Sequence, residues 1–338
     1  MNKTMEFIIF YAACLSLFVW LNISFADEQF DGHLEQISST ASISASKHQE
    51  DLFDTPISMS VITGEQIKSA GALSIPEALK LVPGVLVREL SNGLYEVHIR
   101  GFENVPQFEA TTSLGNQSSL IMIDNRPIYS YFNGGTFWEN LPIGIDDIAQ
   151  IEVIRGASSA LYGANAMTGV IHIITKRPSS GQQGGEMNLS VGSSKTKVAH
   201  LSTHTSLGNH QLRFSGLYDQ RNRYQSTYYS YSKDKYVELN DINSERDIPY
   251  VIQDPKEAKD QTAFQVSLNN DSRSEVAYDI SLSHQETTSH KEYLGIRTTP
   301  LHEATIKNSA INTQVNMRNF YFRLSHAKGE TRFPAVTS

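Results

Sequence analysis

The first half of the chain contains short runs of aliphatic and β-branched residues, each bounded by glycine, proline or small polar residues. Runs of this length and composition predict buried β-strands. The predicted strands are Ile57–Ile62, Val85–Val87, Val97–Arg100, Leu120–Ile123, Ile151–Ile154 and Val170–Thr175. Helices are predicted after Thr63 and Ser74, because Gln66 and Glu77 follow three residues later and complete two capping boxes. Strands that alternate with short helices over residues 51–176 predict a domain of the α+β class.

A different pattern begins after residue 176. Apolar and polar residues alternate there, which predicts strands with one apolar and one polar face. The apolar positions of these strands include Met187, Leu189, Val191, Leu212, Phe214, Phe264, Val266, Leu268, Val276, Tyr278, Ile280, Leu282, Ile311, Val315, Met317, Phe320, Phe322 and Leu324. Two structures account for such strands: a soluble antiparallel sheet with one face in water, or a membrane barrel whose apolar face meets lipid. The polar, tyrosine-rich segment Asn222–Asp260 is predicted to be a long loop.

Residues 1–26 have the features of a signal peptide. Lys3 precedes an apolar run from Phe7 to Leu21, and Ser24-Phe25-Ala26 supplies the small residues of a cleavage site. The apolar run is shorter than the about 20 residues that a transmembrane helix needs. Cys14, the single cysteine, lies inside this segment. The mature chain is therefore expected to have no disulfide and no thiol chemistry.

The remaining composition gives no indication of an enzyme. The net charge of −8 argues against nucleic acid as a partner. The 11 histidines show no zinc-like spacing, and no glycine-rich loop resembles a phosphate site. We therefore expect no catalytic residues, no metal site and no cofactor.

The segment from Ile145 to Lys176 contains two predicted strands, and the connection between them is rich in small residues. Gly156, Gly163 and Gly169 mark sharp changes of backbone direction, which favours a tightly packed β–turn–β unit. This stretch resembles the end of the plug domain of TonB-dependent outer-membrane receptors, whose pattern is approximately IExxRGPxSxLYGxxAxGGVINIITK. The matching positions include Glu152, Arg155, Gly156, Tyr162, Gly163 and Gly169. Ala157, Thr168 and His172 stand where the pattern has proline, glycine and asparagine.

Further segments extend the resemblance over residues 54–176. They read VPGV, IRGF (with Arg100 and Gly101) and IDNRPIY. The resemblance implies an α+β plug domain over residues 51–176, followed over residues 177–338 by antiparallel transmembrane β-barrel strands in the outer membrane of a Gram-negative bacterium. A barrel that holds a plug has about 22 strands. At about ten residues each, residues 177–338 are expected to supply only the N-terminal part of that barrel.

The polar leader, residues 27–50, contains a segment that resembles the TonB box of this family, approximately ETIVVTA. It consists of Glu35, Gln36, Ile37, Ser38, Ser39, Thr40 and Ala41, with serines in place of the two valines. The resemblance implies that this segment binds TonB, the energy-transducing protein of the periplasm. An extended, mobile segment can bind by adding a strand to the edge of a partner sheet. A plain linker rich in serine and alanine is the alternative.

Two plug loops are candidates for an outward-facing binding surface, residues 102–117 and residues 129–140, the latter named here the aromatic loop. Around Gly134 and Gly135 the aromatic loop carries Tyr129, Tyr131, Phe132, Phe137 and Trp138. Such side chains suit the capture of planar or catecholate-like ligands by stacking and phenol hydrogen bonds. Packing against the inner barrel wall is the alternative. Arg100, Glu152 and Arg155 are expected either to pair with charges of the barrel wall or to form salt bridges inside the plug.

The resemblance implies energy-coupled uptake of a scarce nutrient, and a ferric siderophore is the first expectation. Haem, cobalamin, nickel complexes and oligosaccharides are other ligands of the family. A surface-binding or signalling module that does not transport is the alternative function. A signalling receptor would carry a folded domain before the TonB-box-like segment, and the short lead Asp27–Glu35 favours transport instead. The expected partners are TonB, the ligand and the lipid of the outer membrane.

Overall fold

The computed structural model describes residues 41–42, 50–51, 58–101, 118–129, 135–178, 181–230, 232–244, 251–270, 274–292, 301–317 and 320–333. The predicted signal peptide, the TonB-box-like residues before Ala41 and the loop 102–117 lie outside the described residues. At the end of the leader, β1 (Ala41–Ser42) pairs antiparallel with β2 (Glu50–Asp51), which reaches the first residue of the predicted plug, so that Ala41 lies opposite Asp51.

Residues 58–176, named here the N-terminal domain, contain short strands and short helices, as predicted. The strands are β3 (Met59–Thr63), β4 (Val85–Ser91), β5 (Leu94–Ile99), β6 (Ser119–Ile123), β7 (Arg126–Pro127), β8 (Ile148–Arg155) and β9 (Gly169–Thr175). The α-helices are α1 (Gly64–Ser69), α2 (Ile75–Leu79) and α3 (Ser159–Tyr162), and the 3-10 helices are η1 (Trp138–Asn140) and η2 (Ile145–Asp147).

The described strands of this domain form a five-stranded sheet and a separate hairpin. The sheet has the order β3-β8-β9-β6-β7, and only its β6–β9 pair is parallel. Strands β4 and β5 pair with each other as the hairpin. The predicted β–turn–β unit is thus the central antiparallel pair β8–β9, with α3 in the connection between them.

Helix capping explains where α1 and α2 begin. Thr63 and Gln66 form the predicted capping box, because each side chain accepts a hydrogen bond from the backbone N–H of the other. At α2 only half of the predicted box forms. The hydroxyl of Ser74 accepts from the N–H of Glu77 (3.4 Å), whereas the Glu77 carboxylate accepts from the N–H of Leu73 (2.9 Å). Among the helices of the described residues, none is long and apolar enough to cross a membrane.

The core of the domain lies on both faces of the central strands. On one face Ile151, Val153 and Ile171 pack against α2 and the hairpin. On the other face Ile154 and Val170 belong to a smaller cluster. Because both faces are covered, β8 and β9 carry isoleucine and valine on both faces, interrupted by the buried Glu152 and His172.

The second half of the chain forms an antiparallel sheet, named here the wall. Its strands are β10 (Gly184–Val191), β11 (Lys197–Leu207), β12 (His210–Asn222), β15 (Glu257–Asn270), β16 (Val276–Glu292), β17 (Leu301–Met317) and β18 (Phe320–Arg332). They are hydrogen-bonded in that order, and among the described strands β10 and β18 remain the two edges of an open sheet. This agrees with an incomplete barrel.

The faces of the wall are inverted relative to those of a soluble sheet. Apolar side chains such as Leu189 and Val191, which are 66% and 86% exposed, point away from the N-terminal domain. Polar and charged side chains such as Arg213, Asp219 and Gln265 are buried on the opposite face. A soluble sheet would bury its apolar face, whereas a membrane barrel turns that face to lipid. The alternating pattern allowed either a soluble sheet or a membrane barrel, and the wall has the face arrangement of the barrel.

The predicted loop 222–260 is partly folded. It contains β13 (Thr227–Ser230), β14 (Lys235–Glu238) and the 3-10 helix η3 (Leu239–Ser244). Strands β13 and β14 pair as a hairpin. A small core holds this region to the start of β17, and its members are Tyr228, Leu239, Ile242, Ile252 and Leu301.

Candidate functional site

The lengths of the connections distinguish the two ends of the wall. Strands β11 and β12 are joined by Gly208 and Asn209, and the β15–β16 and β17–β18 connections at the same end are also short. The β12–β15 connection at the opposite end runs from residue 223 to residue 256. We call these the short-turn end and the long-loop end. In bacterial outer-membrane barrels, the short turns face the periplasm and the long loops face the outside.

The interface between the N-terminal domain and the inner face of the wall contains several buried ion pairs and forms the candidate site. At its centre is Asp147, the last residue of η2. Its carboxylate is buried and accepts hydrogen bonds from the Gly144 N–H (2.9 Å), from His200 Nε2 (2.9 Å) and from Arg213 (2.6 Å). His200 and Arg213 belong to β11 and β12 of the wall.

The surroundings of Asp147 keep it ionised. Burial by itself raises its pKa, but the hydrogen bond and charge of His200 and the charge of Arg213 outweigh burial. They hold the pKa of the Asp147 carboxyl well below its usual range. The result is a charge-assisted contact between the domain and the wall in a place that water does not reach.

A second contact lies towards the long-loop end. Glu139 of η1 is buried and forms an ion pair with Lys291 of β16, while the Glu139 carbonyl accepts from the Thr287 hydroxyl (3.1 Å). The Lys291 ammonium also lies 4.1 Å from the centre of the Phe137 ring. The C-terminal part of the aromatic loop therefore contacts β16 near the long-loop end of the wall.

The tip of the β4–β5 hairpin makes a third contact, also at the long-loop end. The Asn92 side chain donates to the Thr196 hydroxyl (3.0 Å) and to the Asn222 carbonyl (2.9 Å) of the wall. Gly93 has a φ of +80°, and a Cβ built on it would lie 2.6 Å from Cδ of Arg221. Glycine is favoured here because of the positive φ and because a Cβ would require the Arg221 side chain to move.

A fourth contact lies at the short-turn end, where Asp124 and Asn125 form the turn between β6 and β7. The Asp124 carbonyl accepts from Gln314 Nε2 (2.7 Å), and the Asn125 carbonyl accepts from Arg323 (3.0 Å). Gln314 lies on β17 and Arg323 on β18. The domain is thus bonded to the wall at both ends and in the middle.

The structure places the charged residues of the plug-like motif inside the N-terminal domain. Arg155 donates to the carbonyls of Pro83 (2.6 Å) and Met59 (3.4 Å). Glu152 is fully buried and accepts from Gln150 Nε2 (2.7 Å). The Arg155 contacts join β8 to β3 and to the segment before β4, whereas the Glu152 contact lies within β8. The bonds of Arg155 described here go to backbone carbonyls of the domain and not to carboxylates, so they are hydrogen bonds rather than salt bridges.

The remaining motif residues shape the backbone. Arg100 and Gly101, at the end of β5, both have positive φ (56° and 66°). Gly163 ends α3 with a φ of 89°, beside Tyr162, which packs against the smaller core cluster. A Cβ on Gly169 would lie 2.2 Å from the Ile154 carbonyl oxygen, so only glycine allows β8 and β9 to approach there. Gly156 has a φ of 124°.

The aromatic loop is divided by the structure. Tyr131 and Phe132 lie outside the described residues, and Tyr129 is 37% exposed. Trp138 is only 5% exposed and packs in the main core with Leu141. The expectation that Trp138 lies on an open loop is therefore wrong, because η1 turns the ring into the core. Tyr129 lies at the surface, and Phe137 lies beside Lys291 of the wall.

Sequence reasoning did not identify Asp147, Glu139 or Asp124. The partners of Asp147 on the wall are 53 and 66 residues away along the chain, so no local sequence pattern marks this contact. Among the described residues, no group of His, Cys, Asp or Glu side chains is arranged to hold a metal ion.

Comparison with known proteins agrees with this architecture. Residues 51–170 match the family model described as the TonB-dependent Receptor Plug Domain. The chain is 32% identical over 176 residues to the vitamin B12 transporter BtuB of Vibrio vulnificus, covering 52% of this chain and 26% of that protein. It is 30% identical over 181 residues to the iron-regulated outer membrane virulence protein of Vibrio cholerae, again covering 52% and 26%. The ferrioxamine B receptor of Salmonella typhimurium is 28% identical over 177 residues, covering 52% and 23%.

The matched region thus spans about a quarter of the length of these relatives. Among solved structures, the ferripyoverdine receptor of Pseudomonas aeruginosa superimposes with a TM-score of 0.57 at 16% identity, covering 87% of this chain and 37% of that one. The alcaligin receptor FauA of Bordetella pertussis gives 0.56 at 17% identity, covering 87% and 42%. These likenesses establish the fold.

Proposed function

Since this chain carries the plug domain and the first barrel strands of a TonB-dependent outer-membrane receptor, we propose that it acts in the energy-coupled uptake of a scarce nutrient. The N-terminal domain is the plug, the short-turn end of the wall faces the periplasm and the long-loop end faces the outside.

The observation that carries this proposal is the polar interface between plug and wall. Asp147, Glu139 and Asp124 hold the plug through hydrogen bonds and ion pairs rather than through apolar packing. Water can replace such bonds when the plug moves, whereas separating an apolar interface would expose apolar surface. A plug held in this way supports a gated path more than a permanently closed one.

For the ligand we propose a ferric siderophore, with cobalamin as the second candidate. Relatives named as a ferrioxamine B receptor and a vitamin B12 transporter each match about half of this chain, so the matches support uptake of a scarce nutrient but not its identity. Tyr129 and Phe137 are the described members of the aromatic loop that we propose for ligand contact, together with Tyr131 and Phe132. Trp138 is retained only as their support in the core.

For energy coupling we propose that the segment Glu35–Ala41 binds TonB as an added strand. The proposal is supported by the position of this segment, shortly before the plug, and by the pairing of Ala41 in a short extended strand. Main-chain hydrogen bonds would provide the binding energy, which is why serines in place of valines are tolerable.

Uptake measurements test the proposal. A receptor with this chain at its N-terminus is expressed in cells that lack their own siderophore and cobalamin receptors, with and without TonB. We expect uptake of a ferric siderophore only when TonB is present, and surface binding in both cases. Binding without uptake in both strains would assign the chain to a non-transporting module. Uptake of cobalamin alone would select the second candidate.

A further inference from the structure

Strand β9 places a histidine beside the turn that bonds the plug to the wall. His172 is 1% exposed and lies between Met122 of β6 and Glu152 of β8 in the centre of the sheet. Its Nε2 lies 3.0 Å from the backbone nitrogen of Asn125. Because a backbone N–H only donates, Nε2 is the acceptor and the ring proton is on Nδ1. That Nδ1 lies 3.9 Å from Oε2 of the buried Glu152.

The turn needs this acceptor. Asp124 and Asn125 both have positive φ (47° and 65°) and form a two-residue loop between Ile123 and Arg126. This is the conformation of a type I′ hairpin loop, in which the N–H of the second loop residue finds no acceptor within the turn. The Asp124 carboxylate is bonded to Thr175 instead, where Oδ1 accepts from the N–H (3.0 Å) and Oδ2 accepts from the hydroxyl (2.7 Å).

The opposite side of the same turn contacts the wall. Gln314 and Arg323 donate to the carbonyls of Asp124 (2.7 Å) and Asn125 (3.0 Å). A short chain of hydrogen bonds therefore runs from the centre of the plug sheet, through His172 and the turn, to β17 and β18.

We propose that the neutral imidazole of His172 is the positioning group that holds the plug turn against β17 and β18, and that protonation of His172 releases this contact. A proton on Nε2 would face the Asn125 N–H, so two donors would meet where a hydrogen bond now forms. The inference rests on the proposed function, because release of this contact matters in a receptor whose plug moves.

The charges around His172 come from each element that packs against it. Glu152 of β8 and Asp124 of the turn favour the protonated ring, whereas Arg323 of β18 and Arg177 after β9 disfavour it. Burial, the largest effect, lowers the pKa of His172 below its usual value. The ring is therefore neutral at neutral pH, and the contact is intact there.

Hydrogen exchange of the Asn125 amide tests the proposal in the full chain in outer-membrane vesicles. His172→Gln carries an amide oxygen close to the position of Nε2 and does not titrate, whereas His172→Phe fills a similar volume without an acceptor. At neutral pH we expect His172→Gln to keep the protection of this amide. His172→Phe is expected to lose it by about tenfold or more, with the amides of Ile151 and Ile171 unchanged as an internal control.

The pH profile separates positioning from simple packing. Because the pKa of His172 lies below its usual value, protection at Asn125 in the native chain should persist through the usual histidine range of about 6.5. After correction for intrinsic exchange, it should be lost only as the pH is lowered further, while His172→Gln keeps its protection. Equal pH profiles for the two chains, or full protection in a folded His172→Phe, would overturn the proposal. If His172→Phe does not fold, the comparison of the native chain with His172→Gln decides alone. Neither measurement involves ligand or uptake, so a failed uptake experiment leaves this result standing, and the reverse also holds.

Discussion

At Asp147, two side chains of the wall converge on one buried carboxylate of the plug. Neutralising the carboxylate removes the charge that His200 and Arg213 both face. Loss of one partner from a buried ion pair is costly because the remaining charge is left without compensation. Asp147 is thus the residue at which the fixing of the plug can be tested most directly.

We predict that Asp147→Asn lowers the free energy of unfolding by about 3 kcal/mol at neutral pH. The pKa of Asp147 is lowered in the folded chain, so its contribution is present above the unfolded pKa of about 3.9. It is lost as the pH falls below that value. Denaturant unfolding at a series of pH values measures both effects. If Asp147→Asn shows the same acid loss as the native chain, another carboxylate is responsible.

The glycine at the hairpin tip gives a second prediction at the residue scale. In Gly93→Ala the methyl group would meet the buried Arg221 side chain, in addition to the strain of a positive φ. Gly71→Ala is the matched control, because Gly71 has a φ of +67° and no atom within 4 Å of a built Cβ. We expect the control to cost about 1 kcal/mol and Gly93→Ala about 1–3 kcal/mol more. Equal costs in thermal unfolding would show that Arg221 moves aside freely.

The aromatic loop allows ligand contact to be separated from packing. Trp138→Ala should lower the free energy of unfolding by about 3–5 kcal/mol, because the ring is buried in the core. Tyr129→Ala should leave stability nearly unchanged and weaken ligand binding several-fold, since a stacking contact is worth about 0.5–1.5 kcal/mol. Equilibrium binding and thermal unfolding of both variants provide the comparison. Native affinity in Tyr129→Ala would remove this residue from the proposed ligand surface.

At the scale of elements, the plug was the predictable half. Its central strands have apolar residues on both faces, and α1 and α2 have side-chain caps, so local pattern and tertiary environment agree. Strand β11 was not predicted, because its outward positions include Thr203 and Thr205 among the apolar Ala199 and Leu201, which weakens the alternation. The direction of the wall faces also could not be derived from alternation alone, since the pattern is the same whether lipid or a core covers the apolar side.

The site was less accessible to sequence reasoning than the fold. Glu152 and Arg155 were visible through their motif, yet the structure gives them contacts inside the plug. The contacts with the wall instead use Asp147 and Glu139, whose partners are fixed only when β11, β12 and β16 have formed. A pair of this kind depends on tertiary structure, and no local pattern marks it.

The leader is the element on which the proposed energy coupling depends. Ile37→Pro removes one backbone donor and fixes φ, so an added strand would lose hydrogen bonds at that point. We expect energised uptake to fall while ligand binding at the cell surface is retained. Ile37→Ala keeps the N–H and is the control for loss of the side chain. Unchanged uptake in the proline variant would place the coupling segment elsewhere in the leader.

For the whole molecule, the division between plug and wall predicts that residues 51–176 fold alone. The plug has its own hydrophobic core and its own helix caps. Its apolar side chains pack in that core, whereas those of the wall are exposed on one face. The isolated plug should unfold cooperatively in a far-ultraviolet circular dichroism melt. In this fragment Asp147→Asn should matter much less than in the full chain, because His200 and Arg213 are absent. A disordered spectrum would contradict the domain boundary.

Strand β3 determines where a mechanical load enters the molecule. It is the edge strand of the plug sheet and the first one after the leader, so any tension on residues 27–50 reaches the sheet through Met59. The Arg155 guanidinium donates hydrogen bonds to the carbonyls of Met59 and Pro83. The backbone N–H of Arg155 donates to the carbonyl of Ser58, next to Met59. These bonds and the β3–β8 ladder resist the force before the central strands do. Under tension β3 would therefore separate from β8 first, while the β8–β9 pair would remain intact longest.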